Sequence, residues 1–212
     1  MDKQTTLPIS IIILAAGSST RMGTPKQNLN WYGMPLIVYQ VKQALNSRAK
    51  EVVVILGNQI NENKKILTTH LGPTLNNIHL IENSEWGSGK TTSVKLGIRN
   101  ISEDSTDVML WASDSPRPTV LLDDLMANHV GNNNLITYPW HKDKEGHPGV
   151  FSLSLRQDLL SIQEKSKGLR EVVKKYETKV VKLQISDPIS VVNLNTMAEY
   201  TKALLLTGQP EL

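Results

Sequence analysis

Arg21 and Lys26 stand in a run of mostly small residues, Ala15-Ala16-Gly17-Ser18-Ser19-Thr20-Arg21-Met22-Gly23-Thr24-Pro25-Lys26-Gln27, directly after the apolar stretch Ile9 to Leu14. Small side chains and Gly17 let a backbone approach a ligand closely, exposed N–H groups bind phosphate oxygens, and two cations neutralise a polyphosphate. The segment therefore has the makings of a triphosphate cradle. The same letters also describe a glycine-rich turn with two solvated cations, since such turns follow many strands. Two standard nucleotide signatures fail. A dinucleotide fingerprint needs G-x-G-x-x-G and an acid ending the next strand, but the loop reads G-S-S-T-R-M-G and the next apolar run ends Leu56-Gly57-Asn58. A Walker A loop needs G-x-x-x-x-G-K-[ST], and Gly89-Lys90-Thr91 has Ser84 where the first glycine belongs.

The elements that must position this loop alternate along the chain. Ile9 to Leu14, Glu51 to Leu56, Asn77 to Ile81 and Val108 to Ala112 are short apolar runs suited to strands covered on both faces. Ile37, Val41, Ala44 and Leu45 after Pro35 fall at helical spacing, as do Leu122, Leu125, Met126 and His129. Further strands are expected at Leu135 to Tyr138, near Val150 to Leu153 and at Lys179 to Gln184. Helices are expected around Leu155 to Gln163, Leu169 to Tyr176 and from about Thr196 to Leu206. The pattern predicts an α/β chain, a three-layer α/β/α sandwich on a mostly parallel mixed sheet, with residues 1–212 as one domain. Ligands in such sheets bind beyond the carboxyl ends of the strands. Three unusual segments lie there: Ala15 to Lys26, Asn83 to Ser93 and Ser113 to Thr119.

Composition narrows the field. A chain of 212 residues can bury roughly 70% of its unfolded surface, and 39% hydrophobic with 20% charged residues is the make-up of a folded domain. Twenty-three Lys and Arg against 20 Asp and Glu is too slight an excess to imply a nucleic-acid partner. Absence of cysteine excludes disulfides, thiolate metal sites and a cysteine nucleophile, and it fits a reducing compartment. The longest strongly apolar stretch, Ile9 to Ala16, falls short of the roughly 20 residues a membrane span needs. Met1 to Leu7 carries both acid and base rather than a basic leader. A cytoplasmic protein with no membrane partner is expected.

Leu14-Ala15-Ala16-Gly17-x-x-x-Arg21-Met22-Gly23-x-x-Lys26, followed by Gly33-Met34-Pro35-Leu36-Ile37, resembles the signature loop of nucleotidyltransferases that join a nucleotide to a phosphorylated small molecule. The resemblance implies a Rossmann-like fold, a divalent cation, and a nucleoside triphosphate bound by Leu14 to Ser18, with Arg21 and Lys26 on its phosphates. Asn83-x-x-Trp86-x-x-Gly89 with Ser93 and Gly97, Gly146-His147-Pro148 with Phe151, and Gly168 with Arg170 make the chain most similar to the molybdenum cofactor cytidylyltransferases. That family transfers CMP from CTP to the terminal phosphate of molybdopterin. The likeness adds Gly89 and Ser93 to the nucleotide-binding set and leaves open a maturation partner among molybdenum enzymes. The A-A-G form of the loop is more similar to cytidylyl than to guanylyl enzymes.

Such a transfer needs charge on the α-phosphate and on departing pyrophosphate to be neutralised, usually by Mg²⁺ held on one or two protein oxygens. Asp114 is the candidate ligand, in an Asp-Ser-Pro turn similar to the family's G-D-x-P; it can also be read as a turn residue capping Pro116 to Val120. Asn193-Leu194-Asn195-Thr196 stands where the cytidylyl enzymes carry D-x-D-T, which makes Asn195 a second candidate metal ligand or part of a helix N-cap region. His147, Trp86 and Lys90 are candidate acceptor contacts. His147 also reads as part of a turn entering a strand, Lys90 as a solvated first-turn lysine, and Trp86, like Trp140, as partial core. His129, on an apolar helix face, reads as a packed histidine.

The chemistry expected is in-line transfer: the acceptor phosphate attacks the α-phosphorus while Arg21, Lys26 and Mg²⁺ on Asp114 stabilise the pyrophosphate. Pro25-Lys26-Gln27, Ser93-Val94 and Asp114-x-x-Arg117-Pro118 also resemble the methylerythritol-phosphate cytidylyltransferases. An NAD(P)H-dependent oxidoreductase of the nicotine-blue type and a non-catalytic nucleotide-binding module are further alternatives.

Overall fold

The computed structural model describes residues 5–18 and 25–209. Arg21, half of the cation pair read from the first loop, lies outside them. The chain runs β1 (Leu7–Ala15), a small hairpin β2 (Asn30–Trp31) and β3 (Met34–Pro35), α1 (Leu36–Leu45), β4 (Ala49–Leu56), α2 (Ile60–Leu71), β5 (His79–Glu82), α3 (Lys90–Arg99) and β6 (Asp107–Ala112). It continues with α4 (Thr119–Gly131), β7 (Ile136–His141), β8 (Lys144–Glu145), β9 (Gly149–Ser152), α5 (Arg156–Ser161), α6 (Leu169–Lys175), β10 (Val180–Gln184) and α7 (Met197–Leu206).

The main sheet has the order β10-β7-β9-β6-β1-β4-β5, with β8 paired to β7. β1 pairs in parallel with both β4 and β6, β4 with β5 and β7 with β10, whereas β9 runs antiparallel between β6 and β7. This is the mostly parallel mixed sheet that the sequence predicts. Its pleat sorts the core into two layers. Ile9, Ile11 and Ile13 face one side with residues of α1, α2, α4 and α7, and Ile12 faces the other with Val94, Ile98, Leu159 and Val172 of α3, α5 and α6. Because both faces of β1 and β4 are covered, their sequences are continuous apolar runs rather than alternating ones.

Helix ends explain several boundaries. α7 is capped by Thr196, whose Oγ1 accepts from Glu199 N–H at 3.2 Å, while Glu199 Oε2 reaches back one residue further to accept from Asn195 N–H at 2.9 Å. The cap is Thr196, so the side chain of Asn195 is not spent on it. His129 is buried, with Nδ1 2.8 Å from Thr137 Oγ1 and Nε2 3.2 Å from Asp107 Oδ1, as a packed histidine would be. Among the described residues no helix is long and apolar enough to cross a membrane.

Candidate active site

From β1 the chain moves outward to β4 and β5 and then returns to the other side of β1 at β6. The crevice beyond the carboxyl ends of β1 and β6 is thus the topological switch point, where doubly wound sheets bind ligands. The loop after β1 and the turn after β6 meet in it. Lys26 Nζ donates to Asp114 Oδ2 at 3.1 Å and to Asn195 Oδ1 at 2.9 Å. Lys26 is nearly buried, and the Asp114 side chain keeps about a fifth of its surface open. Among the described residues no three His, Cys, Asp or Glu side chains cluster as a metal site. Two hard oxygens from distant segments nonetheless converge on one cation, a donor pair suited to Mg²⁺, which keeps waters and takes its remaining ligands from phosphates.

Each side of this pair is held from behind. The turn carrying Asp114 is fixed by Gln40 Nε2, which donates to Ala112 O and Ser115 O, and by Trp111 Nε1, which donates to Ser115 O at 2.7 Å. The main chain joins the Asn195 segment to it directly, since Leu194 N–H donates to Asp114 O at 2.7 Å. Gln27 is buried and its Nε2 donates to Ala15 O and Gly17 O, both at 3.1 Å, pinning the far end of the loop to the end of β1. Gly17 and Ser18 remain exposed, with open space where a Cβ on Gly17 would point.

The second wall is the approach to α3. Asn83 Nδ2 donates to Thr92 Oγ1 and to Ser93 Oγ, both at 2.9 Å, and its Oδ1 accepts from Glu85 N–H. Ser93 is buried in this network. Gly89 takes φ +115°, a conformation that favours glycine, and a Cβ there would fall 2.5 Å from Glu164 Cδ. Glu164 Oε2 accepts from Thr91 N–H at 3.2 Å and so caps α3 from another part of the chain. Trp86, about a third exposed, lies on Gly57 at the end of β4.

His147 reaches the same region from the turn before β9. Its carbonyl accepts from Arg117 Nε at 2.5 Å, and Arg117 Nη1 donates to Pro116 O at 3.0 Å. Arg117 is wholly buried, and its Nη2 has no hydrogen-bond partner among the described residues. Burial pulls its pKa down to about 9, which still leaves it charged at neutral pH; Asp114 is the largest opposing influence. Burial first, and then Arg117, lowers the pKa of His147, with Lys90 and Arg170 acting in the same direction against Asp114.

Of the residues singled out in the sequence, Lys26, Asp114 and Asn195 meet directly. Ala15 and Ala16 are buried at the root of the loop, Leu14 is half-buried, Trp86 packs beside Ala16 over Gly57, and His147 lies within electrostatic reach of Asp114 and Lys90. The sequence offers no signal for Gln40 and Glu164, and it shows Gln27 and Asn83 only as motif letters without the contacts they make. Gln40 and Glu164 find their partners 72 and 73 residues away, whereas the contacts of Gln27 and Asn83 lie within 12 residues.

A family model described as the MobA-like NTP transferase domain matches residues 11–180. The chain is similar to the molybdenum cofactor cytidylyltransferase of Escherichia coli (strain K12), at 27% identity over 146 residues, covering 68% of this chain and 70% of that protein. Its fold is similar to the crystal structure of Rv0371c from Mycobacterium tuberculosis H37Rv, with TM-score 0.79, 22% identity, 95% of this chain and 100% of that one. A manganese complex of Rv0371c from the same organism gives TM-score 0.75 at 19% identity, covering 93% of this chain and 98% of that one. With the family model spanning most of the chain and a switch-point crevice lined by its loop, the chain belongs to the MobA-like NTP transferase family and is a nucleotidyltransferase.

Proposed function

We propose that the described residues act as one nucleotidyltransferase domain that transfers CMP from CTP to the terminal phosphate of molybdopterin and releases pyrophosphate. The observation that carries this reading is the meeting of Lys26, Asp114 and Asn195 at the switch point, beside the exposed Gly17 and Ser18. The choice of CMP and molybdopterin is supported by the similarity to the E. coli cytidylyltransferase. A molybdenum-enzyme maturation partner would receive the product.

In this reading the loop amides from Ala16 to Ser18 bind the triphosphate and Lys26 neutralises it, with Arg21 as the second cation. A divalent cation, proposed as Mg²⁺, would be held by Asp114 Oδ2 and Asn195 Oδ1 and would supply charge neutralisation at the phosphates; a fold relative solved with manganese is consistent with that class of ion. Asn83 and Ser93 hold the α3 wall against the nucleoside. His147, Lys90 and Trp86 receive the acceptor, and the uncharged imidazole of His147 can donate to a phosphate oxygen from one ring nitrogen. An acceptor phosphate oxygen forms a new bond to the α-phosphorus as the bond to the β-phosphate bridging oxygen breaks, with both electrons leaving on pyrophosphate. No side chain is acylated or phosphorylated.

The test is pyrophosphate release from CTP, GTP, ATP or UTP with molybdopterin in the presence of Mg²⁺. Release that requires both CTP and molybdopterin is expected. Release with GTP instead would move the chain to guanylyl transfer, and CTP turnover with methylerythritol phosphate alone would replace the acceptor.

A further inference from the structure

The ammonium of Lys26 fills the point on which Asp114 Oδ2 and Asn195 Oδ1 converge, at 3.1 and 2.9 Å. A second cation can use both oxygens only after Lys26 leaves. The charge balance makes that departure costly by itself. Among the described residues Asp114 is the carboxylate in ion-pair contact with Lys26, Asn195 brings an oxygen without charge, and the lysine is about nine-tenths buried beside them. A divalent ion arriving alone would have to displace a partly desolvated ion pair and strand an ammonium. We propose that Lys26 is a built-in counter-cation that keeps a divalent ion off the Asp114–Asn195 pair until nucleotide phosphates draw its ammonium away. This rests on the nucleotide reading above for the identity of the displacing polyanion.

The surrounding geometry permits that exchange. Pro25 and the short 3-10 turn Lys26–Asn28 fix the backbone, and Gln27 ties the same turn to Ala15 O and Gly17 O. The ammonium of Lys26 is a compact charge on a flexible four-carbon arm that can swing without moving this backbone. The open ground at Gly17 and Ser18 lies at the other end of the Gln27 tether. Nucleotide and metal would then bind with positive coupling through one shared side chain. By linkage each raises the affinity of the other by the same factor, and couplings of this kind are about 5–150-fold.

The experiment is a Mn²⁺ titration of the full chain, read by the electron paramagnetic resonance signal of the free ion. It is run without nucleotide and with CTP, after correction for Mn²⁺–CTP complexes measured without protein. Without nucleotide, Lys26→Met is expected to bind Mn²⁺ about tenfold or more tightly than wild type. Adding Asp114→Asn to that variant should erase the gain. With CTP the wild type should tighten and Lys26→Met should not. Equal nucleotide-free Mn²⁺ affinity in wild type and a folded Lys26→Met overturns the proposal. Should that variant fail to fold, Asn195→Asp serves instead: with its extra carboxylate and Lys26 in place it should bind Mn²⁺ alone more tightly, and no gain overturns the proposal. Failure of CTP to bind any of these proteins would overturn the nucleotide reading alone, because the nucleotide-free titration reads Lys26 by itself.

Discussion

Trp86 lies across Gly57 so closely that a Cβ on the glycine would come within 2.6 Å of the Trp86 Cβ and 2.8 Å of the Ala16 Cβ. The loop after β1, the end of β4 and the approach to α3 are therefore packed through one residue with no side chain. Gly57→Ala should destabilise the protein by about 1–3 kcal/mol, the usual cost of overpacking. It should also displace Trp86. Urea unfolding measures the first effect and tryptophan emission the second; an unchanged midpoint would mean that the contact relaxes freely.

Asn83 connects three backbone and side-chain partners at the start of α3. Asn83→Ala leaves the hydroxyl of buried Ser93 without that donor and the amide of Glu85 without its acceptor. A loss of about 1–3 kcal/mol is expected, with a weaker apparent affinity for nucleotide. Calorimetric melting with and without CTP separates the two.

Asp114→Asn keeps the shape of the turn, because Leu194 N–H bonds to the main-chain oxygen of Asp114 and not to its carboxylate. Its melting temperature should fall, because the nearly buried Lys26 loses its carboxylate partner, while the turn itself keeps its hydrogen bonds. Pyrophosphate release should fall about 10²–10³-fold, the scale of removing one electrostatic stabiliser. Chelation of divalent ions should abolish wild-type turnover and leave the melting temperature nearly unchanged.

The imidazole of His147 is lowered from its ordinary pKa of 6.5, by burial first and by Arg117 next. Between its folded and unfolded pKa values the unfolded chain binds more protons, so stability rises with pH across that window. The contribution is complete above pH 6.5 and is lost as pH falls through the folded value. His147→Gln should flatten the stability curve over that range, and the wild-type imidazole proton signals should titrate below those of an exposed histidine. Titration at or above 6.5 would contradict the assignment.

Strands were legible where the sheet is covered on both faces. β1, β4 and β6 are unbroken apolar runs because α-helices lie above and below them. The amphipathic stripes of α1 and α4 were readable for the same reason. α2 was not, since only Asn63, Leu67 and Leu71 of its twelve residues are buried. β5 begins later than its apolar run suggests, because Gly72 to Asn77 close into a 3-10 turn before it. In the site, Lys26, Asp114 and Asn195 carried a signal in their residue types and neighbours. Their mutual contact did not, because it joins segments 88 and 169 residues apart. Arg117 reads in the sequence only as the arginine of Asp114-x-x-Arg117-Pro118, and the fold reveals that it is wholly enclosed with His147 O on its Nε.

The distance in sequence between Lys26 and Asn195 also sets when the crevice can first be assembled in a cell. Asn195 leaves the ribosome 169 residues after Lys26, about 10–30 s later at ordinary elongation rates. For the later part of that interval the nascent chain has both the loop after β1 and the Asp114 turn but lacks the segment whose main chain, through Leu194 N–H, latches onto that turn. Newly made protein is thus unable to bring Lys26, Asp114 and Asn195 together until the segment carrying Asn195 has emerged.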